Sequence, residues 1–427
     1  MKEQIERRRE RFQNKSAYAA AKYLRRMEDL SGRPDSLTPF MDELKKIHID
    51  FESIGRSDKK TVGTYCMMVP QELILAAGAQ SVKLCSGSFT GFSIGEDVTP
   101  RDACPLVKAV AGMQEIGQLP PYSDCDLMVV PVTCDCKKKL ASMLAEQTPV
   151  HVMQVPSVRQ SDELLELYLE ELYRFLPVLE QLTGKEITMQ SLLQGADIVG
   201  EAQVQMSRFV KLKREKVMLI RGTHAMAVMN ALSYMPIETW TRHMRVLNEE
   251  LEERRENGFV MTRKKQPRIL LTGSPVVFPN IKLPLLIEEM GGALVADETC
   301  MGERFLYDPL AVCDQSFDGY MRAMATRSIR PCTCPTFQDS STRIYRLKQM
   351  IKDHQAEGVI YHVLRGCLVY DFEYQQIEEE MGRLGIPIIR VETDYNEEDI
   401  EQLRIRIEAF IELIKLRADA EGKEYGR

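Results

Sequence analysis

The chain has 427 residues, of which 44% are hydrophobic and 28% charged, with a formal net charge of −7. That length and apolar fraction are enough for more than one core, so two or three domains are expected. The acidic balance argues against a nucleic-acid-binding protein, and no apolar run approaches the roughly 20 residues that cross a bilayer.

From Met1 to about Leu30 the pattern is helical, charged and amphipathic. Its Arg7-Arg8-Arg9 run is diluted by Glu3, Glu6 and Glu10, which reads as a solvated helix face and not a nucleic-acid arm. Met1 is followed by charged residues and not by an apolar core, so a cytoplasmic protein is expected. In that setting eleven cysteines argue for metal or redox chemistry over disulfides.

Next comes an apolar helix-like stretch from Pro70, closed by Gly78, and then Ser81 to Cys85. Cys104-Pro105 follows, then the apolar run Leu127 to Thr133 ending at Cys134, then the proline-led strand at Pro149. Ser161 to roughly Asn257 is helical in pattern, with Ser161-Asp162 as the cap. The second half repeats the first. A helix closed by Gly291-Gly292 leads to Cys300, Cys334-Pro335 matches Cys104-Pro105, the run Val359 to Gly366 ends at Cys367, and Pro387 opens the last strand.

Strands that lack alternation and are separated by helices indicate parallel sheets covered on both faces. The expected fold class is α/β, with two similar parallel-sheet, flavodoxin- or Rossmann-like domains. The expected division is an N-terminal helical segment over 1–58, a first α/β domain over 59–160, a helical connection over 161–262 and a second α/β domain over 263–427. Loops at the carboxyl ends of such strands hold ligands. Cys134 and Cys367 each follow a strand and so sit on the ligand-binding edge of their own domain, from which two facing domains can share a site.

The cysteine spacing leaves three readings open. Paired Cys-x2-Cys motifs of zinc sites are absent; instead there are Cys134-Asp135-Cys136, Cys332-Thr333-Cys334 and widely spaced single thiols. An iron–sulfur group held between domains, a zinc site and ordinary buried thiols all fit. Cys85 reads as a ligand or as a packed strand-end residue, Cys136 sits awkwardly close to Cys134, and Cys125 and Cys313 lack counterparts in the other half.

The segments Gly63 to Glu72, Ala76 to Ala79, Cys104 to Lys108, Thr133 to Asp135 and Leu403 to Glu412 resemble the 2-hydroxyacyl-CoA dehydratase and benzoyl-CoA reductase superfamily. The likeness covers most of the chain from about residue 60. It implies three thiolates for a four-iron cubane, at the matching Cys104, Cys134 and Cys367. The chain departs from that pattern in its surplus of Cys66, Cys300, Cys332 and Cys334, and in this it is similar to the double-cubane branch. There two linked four-iron cubanes serve a reductase of small molecules.

The resemblance further implies a homodimeric iron–sulfur ATPase as activator, and the chain itself has no phosphate-binding glycine motif. A homodimer without membrane or nucleic-acid partners is expected. The alternatives are a 2-hydroxyacyl-CoA dehydratase subunit with a single 4Fe-4S cubane, and a non-catalytic electron carrier. Glu72 resembles a motif glutamate with a catalytic role, but a first-turn glutamate also complements a helix N-terminus. Arg304 reads as a group that neutralises a cluster or binds substrate, or as an ordinary surface charge. Lys137-Lys138-Lys139 reads in the same two ways.

Overall fold

The computed structural model describes residues 2–54, 59–117, 119–262 and 264–420. Its first sheet contains β1 (Thr61–Thr64), β2 (Gln80–Lys83), β3 (Leu127–Val132) and β4 (Val150–Gln154), all parallel, in the order β2-β1-β3-β4. The second contains β5 (Arg268–Gly273), β6 (Ala293–Glu298), β7 (Gly358–Leu364) and β8 (Ile388–Thr393), again parallel, in the order β6-β5-β7-β8. The two sheets share one topology, so the internal repeat is structural. The α/β class with two similar parallel-sheet units is what the structure has.

Burial explains the missing alternation. Every residue of β6 and β7 is buried, as expected of strands with helices on both faces. The edge strands β4 and β8 are only partly covered. In each unit the chain turns back at the middle of the sheet, between β1 and β3 and between β5 and β7, where α/β sheets open a crevice at their carboxyl ends.

The glycine stops are real. Gly78 and Gly291 take φ of 77° and 87° just after the helices Gln71–Ala76 and Lys282–Glu289, a conformation that costs a residue with Cβ about 1–2 kcal/mol. The Cys-Pro pairs, by contrast, break the repeat. Cys104 precedes the helix Pro105–Glu115, with proline at its first position, whereas Cys334-Pro335 lies in a non-helical stretch before the helix Ser341–Asp353.

Between the sheets run the helices Asp162–Thr183, Met189–Lys213, Gly222–Ala231 and Ile237–Glu256. The Ser161 hydroxyl accepts from the Leu164 amide at 3.2 Å, the cap that the sequence indicates. The N-terminal helix Lys2–Glu28 is more than a solvated face, because Tyr23, Leu24 and Met27 are buried. Tyr23 stacks on Phe89 of the first unit and donates to Glu397 of the second, so this helix ties the two units together.

Candidate functional site

Five of the eight strands deliver a cysteine to the carboxyl edges. Cys66 follows β1, Cys85 follows β2, Cys134 follows β3, Cys300 follows β6 and Cys367 follows β7. The carboxyl ends of the two sheets enclose one cavity of about 340 Å³. Eight of the eleven cysteines line it: Cys66, Cys85, Cys104, Cys134 and Cys136 from the first unit, and Cys300, Cys334 and Cys367 from the second.

Within this wall the two units meet at Cys104 and Cys367, whose thiols are hydrogen-bonded to each other. That bond, followed by burial, raises the Cys104 pKa well above that of a free thiol, and it lowers that of Cys367. Burial raises four more of the thiols. Cys300 is pushed up to about 11 and Cys334 to about 12, with Cys85 and Cys134 moved in the same direction. Without an electrophile these thiols keep their protons; binding a metal removes them.

Two lysines face the thiols. The Lys137 ammonium donates to the Tyr65 carbonyl at 2.8 Å. Burial opposes its charge, but Cys66, Cys85, Cys134 and Cys334 together outweigh burial and raise its pKa. Lys138 and Lys139 are exposed, so the solvated-run reading holds for two of the three. Lys83, the last residue of β2, is 6% exposed and lies over the Phe305 ring. Burial lowers its pKa to about 7, against the opposing pull of Cys300, Cys85 and Cys66.

Arg304 does not line the cavity. It is buried and bonded to Glu298 through Nε at 2.9 Å and Nη2 at 2.8 Å, while Nη1 donates to the Tyr370 hydroxyl at 3.2 Å. Glu298 also accepts from Thr272 and Thr333 and lies near Arg343. Burial raises its carboxyl, but Arg304 and Arg343 prevail and bring it down to about 2. Tyr370 is on the cavity wall, so Arg304 reaches the site by hydrogen bond through a phenol, while its charge acts on the thiols of Cys300 and Cys334 against their burial.

Glu72 is also locked. Its two oxygens accept from Arg327 at 2.5 and 2.9 Å, and its carboxylate is 1% exposed. It lines a separate pocket of about 40 Å³, together with Cys332 and Arg304. Cys332 therefore parts from Cys334: the first is buried in the neighbouring wall, the second faces the cavity. Cys125 points to the Pro121 carbonyl at 3.5 Å, and Cys313 is exposed.

Lys83, Cys85, Cys136 and Tyr370 are wall residues that carry little or no signal in the sequence. A charged residue at the end of a strand, two positions before a cysteine, was the available signal for Lys83. Among the described residues no three Cys, His, Asp or Glu side chains gather closely enough to hold one metal ion. The thiols are instead spread around a wall, an arrangement suited to a group with several metals.

These features define a two-unit α/β protein with a thiol-lined cavity at the facing carboxyl edges of its sheets. The chain belongs to the family of the 2-hydroxyglutaryl-CoA dehydratase D-component, whose model matches residues 66–414. It is 31% identical to YjiM of Escherichia coli, named a candidate dehydratase subunit, over 83% of this chain and 91% of that one. It is 25% identical to the (R)-phenyllactyl-CoA dehydratase beta subunit of Clostridium sporogenes, over 84% and 93%. With the (R)-2-hydroxyglutaryl-CoA dehydratase beta subunit of Acidaminococcus fermentans it shares 22% identity, over 83% and 92%. Among the described residues no helix is long and apolar enough to cross a membrane.

Proposed function

We propose that the cysteine cavity holds an iron–sulfur group and that the chain is the subunit bearing it in a two-component dehydratase system, supplied with electrons by a separate ATP-hydrolysing activator. The observation that carries this reading is the convergence of eight thiols from two units on one cavity. Thiolate sulfur is the usual donor to iron–sulfur groups, and thiols spread along a wall suit their size. Cys104, Cys134 and Cys367 are the first ligands on this reading, with Cys66, Cys85, Cys300 and Cys334 as further donors. When bound, such a group supplies one-electron chemistry and, at an iron lacking a thiolate, a position for a substrate oxygen.

The chain's own residues supply the surroundings. Lys137 places a positive charge beside four thiols, which favours their deprotonated form. The apolar wall, including Leu106, Val107 and Leu364, limits water at the thiols. Tyr370, held by Arg304, offers a hydroxyl on the same wall.

The names of the relatives favour dehydration of a 2-hydroxyacyl-CoA, by a chain paired with a related subunit. A second reading rests on the thiol count, since one cubane held by three cysteines leaves five cavity thiols unused. Two linked cubanes would employ most of them, and the chain would then be a reductase of small molecules. Anaerobic purification followed by iron and sulfide analysis separates the two. About four irons per chain with a related second subunit supports the dehydratase; about eight in a chain that purifies alone supports the reductase. A chain that takes up no iron after anaerobic reconstitution overturns both.

A further inference from the structure

Lys83 is a buried amine with no hydrogen-bond acceptor among the described residues. Its side chain enters the cavity from the end of β2, where its backbone amide is fixed by the Ser233 carbonyl at 2.8 Å. The residue is 6% exposed, its ammonium opens only into the cavity wall, and it has no hydrogen bond or ion pair among the described residues. Its ammonium lies over the face of Phe305, which attracts a cation weakly and accepts no conventional hydrogen bond, with the thiols of Cys300, Cys85 and Cys66 as its nearest sources of negative charge. Lys137 is different, because its ammonium is already engaged by the Tyr65 carbonyl.

Burying an unpaired ammonium costs several kcal/mol, a cost that an anion entering the cavity would offset. The other cavity walls carry apolar groups and thiols, and Asp135 is the sole carboxylate among the lining residues. Asp135 is itself exposed, in the first turn of the helix Asp135–Leu144, and makes no contact with Lys83. Nothing else in the cavity is an anion built to meet Lys83.

We propose that Lys83 is the anion-anchoring group of the cysteine cavity, donating hydrogen bonds to a negatively charged occupant that the thiols enclose. The inference rests on the cofactor reading in so far as the occupant is the iron–sulfur group, whose sulfides and thiolates are hydrogen-bond acceptors. The same chemistry would take a small inorganic anion in the iron-free protein. In the loaded protein Lys83 is a positioning residue that favours the more negative, reduced state.

The test uses the full chain as wild type, Lys83→Met and Lys83→Arg, reconstituted anaerobically, with iron content and reduction midpoint as readouts. At equal iron content the midpoint of Lys83→Met is expected to move to more negative potential, with Lys83→Arg close to wild type. Iron loss in Lys83→Met alone also supports the proposal. An unshifted midpoint, or equal iron loss in both variants, overturns it, since the role is then one of packing. A second arm uses iron-free protein and sulfate, at ionic strength matched with chloride. Wild type is expected to bind sulfate about tenfold more tightly than Lys83→Met, the scale of one charge-assisted hydrogen bond. If no variant takes up iron yet this difference holds, the cofactor reading fails and the anion site stands. If sulfate affinity is equal and no iron binds, both fail.

Discussion

Gly366 lies directly against the carbonyl of Asp102, so that the loop after β7 in the second unit touches the loop that leads to Cys104 in the first. Gly366 has φ of 76°, and a Cβ there would overlap the Asp102 oxygen. This contact sets Cys367 beside Cys104, the thiol pair through which the units meet. Gly87 repeats the device, because a Cβ there would overlap the Val277 carbonyl of the other unit.

Gly366→Ala is therefore expected to be harmful twice over. The left-handed φ costs about 1–2 kcal/mol, and relief of the overlap must push the loops apart. A loss of about 2–3 kcal/mol in urea unfolding is expected, together with a lower iron content after anaerobic reconstitution. A variant with wild-type stability and wild-type iron would show that the contact does not position the thiols.

The sequence made the architecture legible through two signals. Apolar strands without alternation, β6 and β7 above all, gave parallel sheets, and the matched order of helix, glycine and cysteine gave the repeat. Residues that follow strands, such as Cys134 and Cys367, could be placed on the ligand edge by topology alone. Which way a side chain turns in an irregular stretch could not be read. Cys332 and Cys334 are two residues apart, yet only Cys334 reaches the cavity. Glu72 looked like a site group because its partner, Arg327, is 255 residues away, whereas Glu298 is only six residues before Arg304 but pairs with it through an irregular turn that no periodicity marks.

The two neighbouring thiols provide a direct comparison. Cys334→Ala is expected to lower the iron content of the reconstituted protein, because it removes a cavity donor. Cys332→Ala removes a buried side chain, 3% exposed, from a packed wall. It should cost about 1 kcal/mol of stability and leave iron unchanged. Iron analysis and thermal unfolding of both variants check this, and equal iron loss would return Cys332 to the ligand set.

Glu72 gives a sharper test of structure against catalysis. Removing one member of a buried ion pair leaves the other charge uncompensated, at about 3–5 kcal/mol. Arg327 retains some access to solvent, with 15% of its side chain exposed, so the lower end of that range applies. Glu72→Gln should lower the unfolding midpoint strongly while the protein that remains folded binds iron normally. A variant of wild-type stability with altered turnover would instead make Glu72 a catalytic group.

Four desolvated histidines, three of them buried and His48 half-buried, predict acid sensitivity. Burial, the largest cause in each case, lowers the pKa of His48 to about 3 and those of His224, His354 and His362 to about 4, from an ordinary 6.5. For each, the unfolded chain binds a proton that the folded chain refuses. Stability therefore falls as pH drops below about 6.5 and continues to fall toward pH 4, by about 1.4 kcal/mol per unit for each fully titrating histidine. Asp297 works in the other direction. Burial raises it to about 6, so between about 4 and 6 the folded protein holds a proton that the unfolded chain has lost, and acidification there favours folding. Burial raises Glu43, Glu288 and Asp308 in the same sense as Asp297 and lowers His151 and His243 in the sense of the other four, so six histidines stand against four carboxyls and the net effect is a loss. Urea midpoints at pH 7, 6 and 5 should decline in that order. His48 has no hydrogen bond at Nε2 and packs edge-on against Tyr234 and Phe278, so His48→Leu should reduce the slope by about one proton. A slope that His48→Leu leaves unchanged would mean that this ring accepts its proton inside the folded core.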